Sequence, residues 1–129
     1  LNDKLMELNS RTGQFYRGTL EKGDVLESEV SVVVIGDVER GARIISKGNV
    51  IVLGALRGTA AAGMGGNPEA VVVALEMAPT QIRISDATSR FNDRNRRLGR
   101  GAMIASACGD EVQIHSIRKT FLNNMLNLP

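Results

Sequence analysis

Val32-Val33-Val34-Ile35-Gly36-Asp37-Val38 returns, eighteen residues later, as Val50-Ile51-Val52-Leu53-Gly54-Ala55-Leu56. The same step carries Gly23-Asp24-Val25 onto Gly41-Ala42-Arg43, and seventeen further residues reach Gly58-Thr59-Ala60. A third apolar run, Val71-Val72-Val73-Ala74, begins 21 residues after Val50. The surplus falls in Gly63-Met64-Gly65-Gly66-Asn67-Pro68, a loop by composition. These runs are too short for isolated helices. β-Branched runs bounded by Gly are strand and turn signals. Three short strands per unit, each closed by Gly or a polar corner, predict an all-β, three-sided β-helix. Successive turns of such a coil pair at roughly 4.8 Å. A sandwich of hairpins requires no fixed 18-residue register.

The three sides differ. Polar residues interrupt the sides carrying Asp24-Val25-Leu26-Glu27 and Gly36-Asp37-Val38-Glu39. The side carrying Val32–Ile35, Val50–Leu53 and Val71–Ala74 is continuously apolar. Alternation turns about half of those side chains outward. Either Val33, Ile51 and Val72 form the external stripe, or Val32, Val34 and their equivalents do. Strands apolar on both faces are buried on both faces, so something covers this side. A second copy packed by a two-fold axis is the favoured cover. The expected dimer contacts are Val33, Ile35, Val50, Ile51, Val52 and Val72. The apolar segment from Phe121 to Leu128 is the other candidate.

Composition excludes several classes. The chain has 129 residues, one domain's worth. Sixteen Lys/Arg against fourteen Asp/Glu leave a net charge of +2, which argues against a nucleic-acid binder. Aromatic content of 3% provides no stacking platform. One Cys and one His make neither a disulfide framework nor a Cys/His zinc site. No catalytic constellation, cofactor motif or metal site is legible. His115 sits in a strand-like alternation, and Cys108 in a Gly corner has no base nearby in sequence. The Gly63–Asn67 stretch lacks the Lys-Ser/Thr ending of a phosphate loop. Asp24, Asp37 and Asp110 sit beside Gly, where Asp hydrogen-bonds local backbone. No apolar run approaches a membrane span and no signal segment opens the chain, so a cytoplasmic protein is expected.

Residues 1–20 read as a lead-in, with one or two helical turns possible over Asp3–Asn9. The β-helix is expected over 21–118. Within it, residues 87–100 hold five Arg and one Asp, and 90–101 reads as a basic linker to the last strands. Those strands, Ala102–Ala107 and Val112–Ile117, meet at Gly109-Asp110, a hairpin or a coil corner. The tail, 119–129, has apolar residues at 121, 122, 125, 126 and 128, spacing that suits one short amphipathic helix.

Gly13-Gln-Phe-Tyr-Arg-Gly-Thr-Leu-Glu-Lys-Gly-Asp24 and Ser31-Val-Val-Val-Ile-Gly-Asp-Val-Glu-Arg-Gly-Ala42 resemble the C-terminal domain of the bacterial division-inhibitor family MinC. Gly48-Asn-Val-Ile-Val-Leu-Gly-Ala-Leu-Arg-Gly58, Ala62-Gly63 and Ala78-Pro-Thr-Gln-Ile-Arg-Ile-Ser85 continue the likeness. The resemblance implies a right-handed β-helix that forms a homodimer through one side of its prism. It also implies binding to the membrane ATPase MinD and contacts with the division protein FtsZ. Membrane contact would then be indirect, through MinD. Residues 1–20 resemble the end of a linker from an N-terminal domain. The family's partner loop reads Arg-Ser-Gly-Gln where this chain has Glu21-Lys22-Gly23-Asp24. The resemblance places partner contacts at Lys22, Gly23, Asp24, Gly41, Arg57 and Gly58. The alternative of another class is a structural β-helix that polymerises end to end, of the bactofilin type.

Overall fold

The computed structural model describes residues 5–9, 13–92 and 101–117. Twelve strands are formed, and no helix occurs among the described residues. The first side of the coil is a seven-stranded sheet. Its strands are β1 (Leu5–Asn9), β2 (Gly13–Arg17), β4 (Val32–Ile35), β6 (Val50–Leu56), β8 (Val72–Met77), β11 (Met103–Cys108) and β12 (Glu111–Ser116), adjacent in that order. The second side holds β3 (Val25–Ser28), β5 (Arg43–Ser46), β7 (Thr59–Ala62), β9 (Gln81–Ile84) and β10 (Ala87–Arg90), again adjacent in chain order. The third side is a narrow ridge: Leu20 bridges Val38, Val38 bridges Leu56, and Leu56 pairs with Met77.

Pairing within the coils is parallel, and the register gives the true period. Gln14 faces Val32 and Val32 faces Val50, two steps of eighteen residues. The next partner of Val50 is Val72, a step of 22, because the Gly63–Pro68 stretch is accommodated as an extra loop. The sequence alignment of Val50 with Val71 is therefore one residue short. Gly63 anchors the loop, its carbonyl accepting from the amides of Gly66 at 3.1 Å and Asn67 at 3.0 Å. Arg43 pairs with Thr59, a step of sixteen, so the corner before β7 is two residues tighter than the one before β5.

Inward side chains stack in rows, one per coil. Tyr16, Val34, Val52, Ala74 and Met103 form one row; Val32, Val50, Val72 and Ala105 form a second. Leu26, Ile44, Ala60 and Ile82 line the second side, and Leu20, Val38, Leu56 and Met77 the ridge. Every one of these is buried. Full burial of a Val, Leu or Ile contributes roughly 1.5–3 kcal/mol, so the rows are the main source of stability. Between coils, polar side chains complete the backbone ladder. Asn49 N–H donates to Ser31 Oγ, Val71 N–H to Asn49 Oδ1, and Ala55 N–H to Asp37 Oδ1, at 2.8–2.9 Å. Gly54 stacks on Gly36, and a β-carbon there would strike the Gly36 carbonyl. Close backbone approach requires Gly at that corner.

Three boundary expectations change. The coil starts before residue 21: β2 pairs with β4, and Tyr16 and Leu20 are core residues. Leu5–Asn9 is a strand antiparallel to β2, not helical turns, because its residues add to an existing sheet edge. Arg90 ends β10, paired with Gln81, so the basic linker starts later than residue 90. The Gly109-Asp110 turn closes a hairpin, with β11 antiparallel to both β8 and β12. The helix expected over 119–129 lies outside the described residues.

Candidate interaction surfaces

The outward face of the seven-stranded sheet carries an apolar row from β2 to β11. Register places Phe15, Val33, Ile51, Val73 and Ile104 in one row, with His115 at its end. Two residues further along β4, β6 and β8 lie Ile35, Leu53 and Leu75, exposed at 36%, 43% and 49%. Of the dimer contacts expected from sequence, Val33, Ile35 and Ile51 are on this face. Val50, Val52 and Val72 are not: each is 0% exposed and points into the prism. The physical reason is the two-residue period of a strand, which allows only one of the two Val sets outside. Val72 changes face because it pairs with Val50. Phe15 and Ile104 were not among the expected contacts. Their signal is the strand register, which the 18-residue step sets only for the Val32 and Val50 runs.

The second surface is the corner where the coil turns from the ridge into β3 and β5. Lys22-Gly23 and Arg40-Gly41 stack there: Gly23 N–H donates to the Gly41 carbonyl at 3.0 Å. Both glycines have positive φ, +91° and +84°. Asp24 closes its own turn, its Oδ2 accepting from Glu21 N–H at 2.8 Å. Its carboxylate also acts on the core, adding to the burial that raises the pKa of Tyr16 above the ordinary 10.0. Lys22 lies over Gly41, and nothing lies within 4 Å of where a β-carbon on Gly23 would be.

Arg57 is held rather than offered. Its Nη1 reaches both carboxylate oxygens of Glu39 at 3.1 Å, and its Nη2 reaches Glu76 at 3.4 Å. Gly58 is packed: a β-carbon there would strike the carbonyls of Ala42 and Glu39. Gly58 is thus required by the tightened corner. The structure brings Lys22, Gly23, Asp24 and Gly41 together and sets Arg57 and Gly58 one coil further on.

Residues 14–117 match the protein family described as "Septum formation inhibitor MinC, C-terminal domain". The chain belongs to this family. A probable septum site-determining protein MinC from Agathobacter rectalis is 43% identical, over 87% of this chain and 50% of that protein. One from Lachnospira eligens is 54% identical over 64% of this chain and 33% of that protein. The chain spans half or less of the length of these relatives. Among solved structures, a chain of the MinC:MinD cell division protein complex of Aquifex aeolicus superposes with a TM-score of 0.75 at 29% identity. That superposition covers 87% of this chain and 93% of the other. The bactofilin-type alternative finds no support in these matches. Among the described residues, no helix is long and apolar enough to cross a membrane.

Proposed function

We propose that this MinC-family domain is a non-catalytic interaction module of a septum-site regulator. Two copies pair through the outward face of the seven-stranded sheet. The corner at Lys22, Gly23 and Gly41 docks a MinD-type ATPase, which carries the module to the inner surface of the cytoplasmic membrane. There it serves antagonism of FtsZ assembly and so helps place the division septum.

The observation that carries this reading is the near-complete superposition on a chain of the MinC:MinD complex. The half-buried apolar row from Phe15 to Ile104, with the exposed Ile35, Leu53 and Leu75 beside it, supports pairing, because a monomer seldom leaves so continuous an apolar face in water. The displaced cation at Lys22 acts as a point charge where a guanidinium fork would give two parallel bonds. Binding through it is therefore steered by charge and weakened by salt.

The test is a pull-down of a purified MinD ATPase by this chain, with ATP, with ADP and without nucleotide. Retention in ATP alone supports the reading. Absence of retention under all three conditions, with the chain folded, contradicts it.

A further inference from the structure

Two hairpin turns meet at the C-terminal end of the coil. Ser85-Asp86 joins β9 to β10 across the Ile84–Ala87 pair, and Gly109-Asp110 joins β11 to β12 across Cys108–Glu111. They touch, Thr88 N–H donating to the Asp110 carbonyl at 3.1 Å. In both, the first central residue has positive φ, +53° at Ser85 and +64° at Gly109. Such two-residue turns favour Gly at that place. One turn has it; the other has the only non-Gly residue of positive φ among the described residues.

Ser85 bears a second cost. It is nine-tenths buried, at 9% exposure. Its amide donates to Ala62 and its carbonyl accepts from Arg83 Nε at 3.0 Å. Its hydroxyl has no hydrogen-bond partner among the described residues. An unpaired hydroxyl on a residue this buried, in a backbone conformation that Gly would adopt without strain, is the kind of strained position that clusters at ligand sites.

Ser85 lines a cavity of about 400 Å³. Asp86 and Asp110 also line it, with Gly66 and Pro68 contributed by the extra loop. Both carboxylates are exposed, and neither has an ion-pair or hydrogen-bond partner among the described residues. Arg83, the neighbouring cation, is engaged with the Ser85 carbonyl. A divalent ion needs six or more oxygen ligands in a tight shell, and no group of three metal-ligating side chains occurs among the described residues. The volume is ample for one long side chain.

We propose that this cavity receives one arginine side chain of a protein partner. Asp86 and Asp110 accept from the guanidinium, and the Ser85 hydroxyl accepts a further N–H. Guanidinium presents five donors in a planar fork, matching two carboxylates and a hydroxyl better than a compact ammonium does. The proposal concerns the end of the coil and is independent of the Lys22–Gly41 corner.

The experiment is an amide NMR titration of the intact chain with Nα-acetyl-arginine amide, whose capped ends mimic an arginine within a protein. Saturable shifts are expected at Ser85, Asp86, Gly109 and Asp110. Asp86→Asn and Asp110→Asn each weaken binding several-fold. Ser85→Gly does the same, while thermal unfolding stays where it was or rises as backbone strain is relieved. Nα-acetyl-lysine amide, a compact ammonium of the same net charge, binds several-fold more weakly than the arginine probe. Four results overturn the proposal: no saturable shift at these amides, full affinity in Ser85→Gly, equal affinity for Nα-acetyl-lysine amide, or calcium moving the same amides at lower concentration.

Discussion

Gly41 lies beneath the side chain of Lys22: a β-carbon built on Gly41 would come within 2.7 Å of Lys22 Cγ. The two residues are eighteen places apart from their equivalents, Gly23 and Arg40, and belong to adjacent coils. The glycine is therefore a seat for the lysine stem as well as a turn residue. Its substitution acts on the charge presented at the corner without entering the core.

Gly41→Asp is expected to leave the proposed pairing of two copies intact and to lower the unfolding temperature by a few degrees, since a non-Gly residue at this φ costs about 1–2 kcal/mol. Recruitment to vesicles by ATP-bound MinD is expected to fall sharply. Lys22→Glu should give a loss of recruitment that shrinks as salt rises. Vesicle co-sedimentation reads both; unchanged recruitment in Gly41→Asp removes that residue from the docking surface.

Arg57 gives a different expectation. Its two glutamate partners are part-exposed, with side-chain exposures of 34% and 49% against 38% for Arg57 itself. Pairs of this kind contribute about 0–1 kcal/mol after solvent screening. Arg57→Ala should therefore destabilise only slightly in urea melts, and the difference from the native chain should vanish in high salt. A loss of several kcal/mol would show that the clamp holds the tightened corner together.

Tyr16 sets an alkaline limit. Burial first, and the Asp24 carboxylate second, raise its folded-state pKa above the 10.0 of the unfolded chain. The folded chain thus retains a proton that the unfolded chain loses, and stability falls as pH rises past that value. The contribution is fully present below it. Thermal unfolding of the native chain and of Tyr16→Phe should diverge only above this pH, the native chain losing stability faster. Parallel curves would mean that the phenol titrates alike in both states.

The coil was legible because its signals reinforce one another. Val32 and Val50, Gly36 and Gly54, and Gly23 and Gly41 all share one 18-residue step, and only a stacked coil needs that. The step that failed was the third. Val71 and Val72 are chemically identical, so composition could not decide which faces Val50 across a loop of extra residues. That one-place shift moved Val72 from the supposed outer face to the core. Gly58 misled for a similar reason: it looks like the equivalent of Gly41, yet it belongs to a corner shortened by two residues. β1 was missed because Leu5–Asn9 is a strand added to an edge, set by its partner rather than by its own pattern.

Pairing of two copies through the Ile51 face is tested most directly by light scattering at tens of micromolar. The native chain should have twice the mass of one copy. Ile51→Glu should be a folded monomer, because pairing would bury its charge without a partner. Val50→Glu, aimed into the prism, should fail to fold. A monomeric native chain, or an Ile51→Glu variant that remains dimeric, would contradict the assignment of this face.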